Sequence, residues 1–306
     1  MSNSNNLKPT TFPRIFINQG DIGRIQSGNR IIWRRENQPI WPTKKIFYND
    51  DDHTRRKLFI RAMTSPKASP EVQNIGADLF CCGTNGHFCN SPLCNRCRTN
   101  HQDRYQKKIL DIFNGYNSND LYWLTIIDDL TYDPINYVPN WKRRFKDRIK
   151  DNMTSIFGKT AKLYGALEID AKQTSKIVAN QKAYDLLNEY GLDTSHPVAY
   201  MPHFHGIVAV QGTSGEAFGD KLRDNFTKSH QISVSRLHID KSKRKNITNM
   251  ARYMFKFRYQ FADNIKVDKP SYKTRFDDDT MRIYAQVIHD MKGGNGLRGF
   301  IVNHNL

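Results

Sequence analysis

Ala199-Tyr-Met-Pro-His-Phe-His-Gly-Ile-Val-Ala-Val210 places two imidazoles, His203 and His205, two residues apart at the head of an apolar run. Ile207, Val208 and Val210 are β-branched, which predicts a buried strand. Side chains alternate along a strand, so His203 and His205 share one face and Phe204 takes the other. Two imidazoles side by side on a rigid strand can chelate a divalent cation; a pair of ordinary histidines near a strand end is the competing reading. The rest of the chain decides between them by supplying, or failing to supply, the missing parts.

A catalytic metal on two histidines takes a third protein ligand, often a carboxylate. Glu168 is the best candidate, because it lies inside the apolar strand Gly165-Ala-Leu-Glu-Ile169, where a carboxylate needs a reason to be. Asp170, on the same strand face, is the fallback, and His196 is a third option. Downstream, Asn249-Met-Ala-Arg-Tyr-Met-Phe-Lys-Phe257 predicts a helix over 246–259 with Tyr253 and Lys256 on one face. A phenol is a poor nucleophile at its free pKa near 10 and becomes competent beside a metal ion and an ammonium. A core aromatic is the alternative for Tyr253.

The 306 residues carry 47 Lys and Arg against 30 Asp and Glu, a net charge of +17. That imbalance points to a polyanionic partner, nucleic acid first among them. Between Lys221 and Arg258 the only acids are Asp224 and Asp240, so cations flank the tyrosine helix. No apolar run is long enough to span a bilayer, and the polar start Met1-Ser-Asn-Ser-Asn-Asn6 does not read as a signal peptide. A cytoplasmic protein with no membrane partner is expected.

All five cysteines lie between Cys81 and Cys97. An odd number in a cytoplasmic chain argues for metal over disulfides. His87, Cys89, Cys94 and Cys97 form a candidate structural Zn²⁺ site, and Cys81 or Cys82 can stand in for His87. The expected organisation is an N-terminal extension over 1–75, a Cys-rich zinc module with a basic helix over 76–115, a catalytic domain over 116–262 and a polar tail over 263–306. Strands at 121–127, 164–169, around the histidine pair and at 232–239, alternating with helices, predict an α+β fold with an antiparallel sheet flanked by helices.

His203-Phe-His205 resembles the histidine–hydrophobe–histidine motif of the HUH endonucleases, and Tyr253-Met-Phe-Lys256 resembles the tyrosine–lysine motif of their rolling-circle replication initiators. Trp123-Leu-Thr-Ile-Ile127, Leu167-Glu-Ile-Asp170 and Cys94-Asn-Arg-Cys97 are similar, in the same order, to the first strand, the metal-completing segment and the cysteine motif of that family. The resemblance spans about residues 78–262. It implies an HUH nuclease core with Mg²⁺ or Mn²⁺ on His203, His205 and Glu168, Tyr253 as nucleophile and Lys256 neutralising charge. It further implies origin DNA, single-stranded or an extruded hairpin, as substrate, with host helicase and polymerase as partners. Some relatives carry a glutamate one turn before the tyrosine; here Asn249 stands there. A transposase or relaxase shares the chemistry, and a non-catalytic zinc-containing DNA-binding protein is the reading from another class.

Overall fold

The computed structural model describes residues 50–83, 87–179, 181–228, 230–238, 240–255, 257, 261 and 275–306, with the backbone of three short strands between 14 and 33. The chain divides into two compact units, Met1–Cys89 and Asn90–Leu306.

In the first unit, β1 (Arg14–Phe16), β2 (Arg24–Ser27) and β3 (Arg30–Trp33) form an antiparallel sheet in that order. Two helices follow, α1 (Asp50–Met63) and α2 (Pro70–Cys81). Ser69 caps α2 by accepting from the Val72 N–H, and Pro70 supplies the preset φ of a first helical position. Phe59, Ala62 and Met63 of α1 and Val72, Ile75 and Leu79 of α2 are buried. Gly76 permits this close pairing, since a Cβ there would lie 2.9 Å from Thr64 Cγ2. The charged start of α1 hides this short apolar face from sequence reading, which left the segment as an extension.

The second unit is an α+β domain built on a five-stranded antiparallel sheet flanked by helices, in the order β7-β4-β6-β5-β8. Its elements in chain order begin with α3 (Asn95–Phe113), β4 (Leu121–Ile127), α4 (Pro134–Phe157) and β5 (Ala161–Gln173). Then come α5 (Thr174–Val178), α6 (Gln181–Asn188), β6 (Val198–Val210), α7 (Gly215–Arg223) and β7 (Ile232–Arg236). The last are α8 (Lys243–Met254), α9 (Asp278–Lys292), a 3-10 segment Gly293–Phe300 and β8 (Ile301–His304). No helix among the described residues is long and apolar enough to cross a membrane.

β5 and β6 pair over thirteen residues each at the centre of the sheet, and nearly every position of both is buried. Burial on two faces explains why β6 reads as a continuous apolar run rather than an alternation. Against one face pack the aromatic contacts of α4 and α7: Phe157 stacks on Phe218 with ring centroids 4.7 Å apart, and Trp141 on Phe145 at 5.4 Å. Phe204 points into this layer and lies over the cross-strand pair Gly165 and Gly206, where added Cβ atoms would come within 2.3 and 2.4 Å of its ring. A Gly206→Ala substitution is therefore expected to cost about 1–3 kcal/mol by overpacking. An unchanged urea midpoint would contradict this account of the glycine.

Residues 275–306, expected to belong to a polar tail, instead complete the domain. Met281, Tyr284, Val287, Ile288 and Met291 of α9 are buried, and β8 adds an edge strand to β5. Lys142 and Lys146 of α4 donate to the carbonyls of Met291 and Gly299, fastening this segment to the sheet layer. Burial, with Lys142 and Lys150 nearby, pulls Lys146 down to about 8.

Candidate metal and nucleophile site

The other face of the sheet carries the site. Cross-strand register sets Glu168 of β5 opposite His203 of β6, and Thr125 of β4 opposite His205. Directly paired residues share a face, so these four side chains converge. His203 Nε2 and His205 Nε2 lie 3.5 and 3.7 Å from Glu168 Oε2. One ligand atom from each of the three residues falls within 4.8 Å of the others. All are deeply buried, Glu168 at 1 %, His203 at 2 % and His205 at 7 % exposure.

Both imidazoles are anchored through Nδ1. His203 Nδ1 donates to the Met201 carbonyl at 2.9 Å, and a carbonyl can only accept, so in the neutral ring Nε2 keeps its lone pair. The Thr125 hydroxyl meets His205 Nδ1 at 2.9 Å, an outer contact that orients the ring with Nε2 toward Glu168. Burial works against a charged His203, but Glu168, Asp170 and the Met201 carbonyl outweigh it and raise its pKa. Two imidazole nitrogens and a carboxylate, preset by outer hydrogen bonds, make a donor set that fits a divalent cation. Asp170 lies on the same face but outside this triad. His196 is remote from it: its ring stacks on Tyr132 at 4.6 Å and pairs with Asp193 at 3.6 Å.

Tyr253 reaches the triad from α8. Its ring centroid is 5.0 Å from His205 and 5.6 Å from Trp123, edge-on to both, while Trp123 stacks on His205 at 5.3 Å. The buried face of α8 is Asn246, Ile247, Ala251 and Met254; Tyr253 is 41 % exposed. It is not a core aromatic. The helix ends sooner than expected, at Met254, with Phe255 already out of helical conformation. Lys256, expected on the same helical face as Tyr253, lies outside the described residues. Gln102 of α3 donates to the Phe255 carbonyl at 2.8 Å, satisfying an orphan acceptor at the end of α8, and Gln106 donates to Thr248 at 3.2 Å.

A second candidate metal group is Cys82, Cys89, Cys94 and Cys97, whose sulfur atoms lie within 4.8 Å of one another and which are all buried. Three of these match expectation, and the fourth is Cys82 in place of His87. The backbone explains the exchange. Cys82 caps the end of α2, and Gly83, at φ 87°, donates to the His87 carbonyl. The His87 side chain itself is exposed, with Nε2 2.6 Å from Asp78. Four sulfur ligands at this separation fit a tetrahedral metal ion.

Comparison with protein-family models, curated proteins and solved structures finds no match to this chain.

Sequence reading did not single out Thr125, Trp123 or Gln102 as parts of the site. For the first two a signal existed: Trp123, Thr125 and Ile127 alternate along β4 on the face that meets the histidines, and Thr125 is the one hydroxyl on that face. Gln102 and Gln106, four residues apart, mark a polar helix face that meets another helix, a pattern indistinguishable in sequence from a solvated one.

Proposed function

We propose that this protein is a metal-dependent DNA strand-nicking and joining enzyme of HUH type, acting as a rolling-circle replication initiator through Tyr253. The observation that carries the reading is the exposed Tyr253 ring set against one imidazole of a buried His203–His205–Glu168 triad. A divalent cation, Mg²⁺ or Mn²⁺, held by these three residues would supply Lewis-acid polarisation of the scissile phosphate. Everything else follows from the chain's own groups. Tyr253 Oη attacks phosphorus; the Oη–P bond forms as the bond to the 3′ oxygen breaks. The phenol proton passes to solvent and the departing oxygen takes one up, leaving a 3′ hydroxyl and a 5′-phosphotyrosine. Reversal of the same step rejoins strands with no external energy source, because one phosphodiester replaces another. The +17 charge draws the DNA, and Lys241, Arg244 and Lys245 sit at the entry to α8. In this reading the four cysteines hold a structural Zn²⁺ that stabilises the start of α3.

Supercoiled DNA carrying the protein's own origin, incubated with Mn²⁺, tests the reading. Wild-type protein is expected to give nicked circles with protein bound to the 5′ end. Tyr253→Phe is expected to lose more than about a thousandfold in rate, since it removes the nucleophile itself. Equal nicking by the Phe variant would overturn the assignment; no nicking by wild type would leave the chain as a zinc-containing DNA-binding protein.

A further inference from the structure

Beside Tyr253, on the β7 side, the surface opens into a cleft of about 240 Å³ between the end of β7 and the outer face of α8. Trp123, Met250 and Tyr253 give it apolar and aromatic walls, Asn246 and Asn249 bring amides, and Arg236 and Lys241 bring cations to it. One face of the Trp123 indole is taken up by His205, so the metal triad and the cleft share this side chain as a common wall. The cleft is built rather than incidental. Asn246 accepts from the His238 N–H at 3.1 Å and donates to the His238 and Lys241 carbonyls at 2.8 and 3.1 Å, bracing the loop that forms one side. Asn249, one turn further along α8, is exposed and stands one turn before the nucleophile.

These features select an occupant. The volume lies below the roughly 300–1,000 Å³ of pockets that enclose drug-sized ligands, and it suits one flat ring system. Aromatic and thioether surface suits the π-face of a base, an amide offers a donor and an acceptor to a base edge, and flanking cations suit the phosphates on either side. A paired base presents neither its faces nor its Watson–Crick edge, so the strand must be unpaired to enter. We infer that this cleft receives one unpaired nucleobase next to the cleavage junction, and that Asn249 selects which base it is. The inference rests on the reading of Tyr253 as the DNA nucleophile and adds to it the residue that sets where the strand is cut.

The test uses the full chain and a pool of single-stranded oligonucleotides with a randomised central segment. Wild type, Asn249→Ala and Asn249→Asp are incubated with the pool and Mn²⁺, covalent protein–DNA adducts are recovered, and their junctions are sequenced. Wild type is expected to enrich one base about tenfold or more at a position next to the junction. Asn249→Ala should flatten that position to less than about twofold and leave the others as they were. Asn249→Asp, which presents only acceptors, should shift it toward cytosine, whose N4 amino group donates. Base preferences identical to wild type in both variants would overturn the inference while leaving the nuclease reading intact. Absence of any adduct from wild type would instead remove the nuclease reading, and the inference with it.

Discussion

Manganese titrated onto a Glu168→Gln protein is expected to leave its melting temperature almost unmoved, whereas wild type gains about 2.7 kcal/mol at about a hundred times the dissociation constant. The exchange is nearly isosteric, so packing in the metal-free fold is kept and the difference reports ligation. The carboxylate is 1 % exposed and sits between the two imidazoles, so its negative charge acts on a bound cation with little solvent screening. Loss of a group that merely orients a ligand costs about 10–100-fold in metal affinity; loss of a direct ligand should exceed that. A thermal shift by Mn²⁺ of the same size in both proteins would remove Glu168 from the metal site. The readout needs no DNA, so it stands apart from the question of activity.

The paired substitution Cys94→Ser with Cys97→Ser should reduce bound zinc from about one ion per chain to near none. In small zinc domains the ion contributes about 10–16 kcal/mol of apparent binding energy, so the loss is expected to loosen the start of α3 outright. Cys94 is the N-cap position of α3 and makes no side-chain cap hydrogen bond, while Cys97 lies in its first turn. The consequence should travel along the helix. Gln102, two turns on, holds the end of α8 through the Phe255 carbonyl, so nicking is expected to fall along with zinc content. Elemental analysis of the purified variant decides the matter: zinc retained at the wild-type level would contradict the site.

The legibility of this chain follows from where the physical signals are local. His203, His205 and Glu168 could be brought together on paper because strand alternation is strict and a carboxylate inside an apolar run is anomalous. β4 could be read to its ends because aromatic and β-branched residues are concentrated there. The end of α8 could not, since Phe255 and Phe257 carry the apolar residues on past Met254, and only the backbone shows that the helix has stopped. β8 is four residues long and owes its existence to the free edge of β5, a partner far away in sequence. The choice of Cys82 over His87 hinged on the backbone at Gly83, which spacing alone leaves open. The gaps lie where tertiary contact overrides local pattern.

The Phe204 ring seated over Gly165 and Gly206 bears on how the chain reaches its fold. β5 and β6 are long, near-uniformly buried strands joined by a wide connection, the kind of pair in which many alignments would bury similar surface. Sliding one residue out of step would set Phe204 against a neighbour that has a Cβ and turn both histidines toward the aromatic layer beneath, where imidazoles are costly. The four residues His203-Phe-His-Gly206 therefore act as a registration pin during folding. A molecule that has zipped its central strands incorrectly can neither close its core nor bring Glu168, His203 and His205 together, so misfolded copies lack the triad by construction.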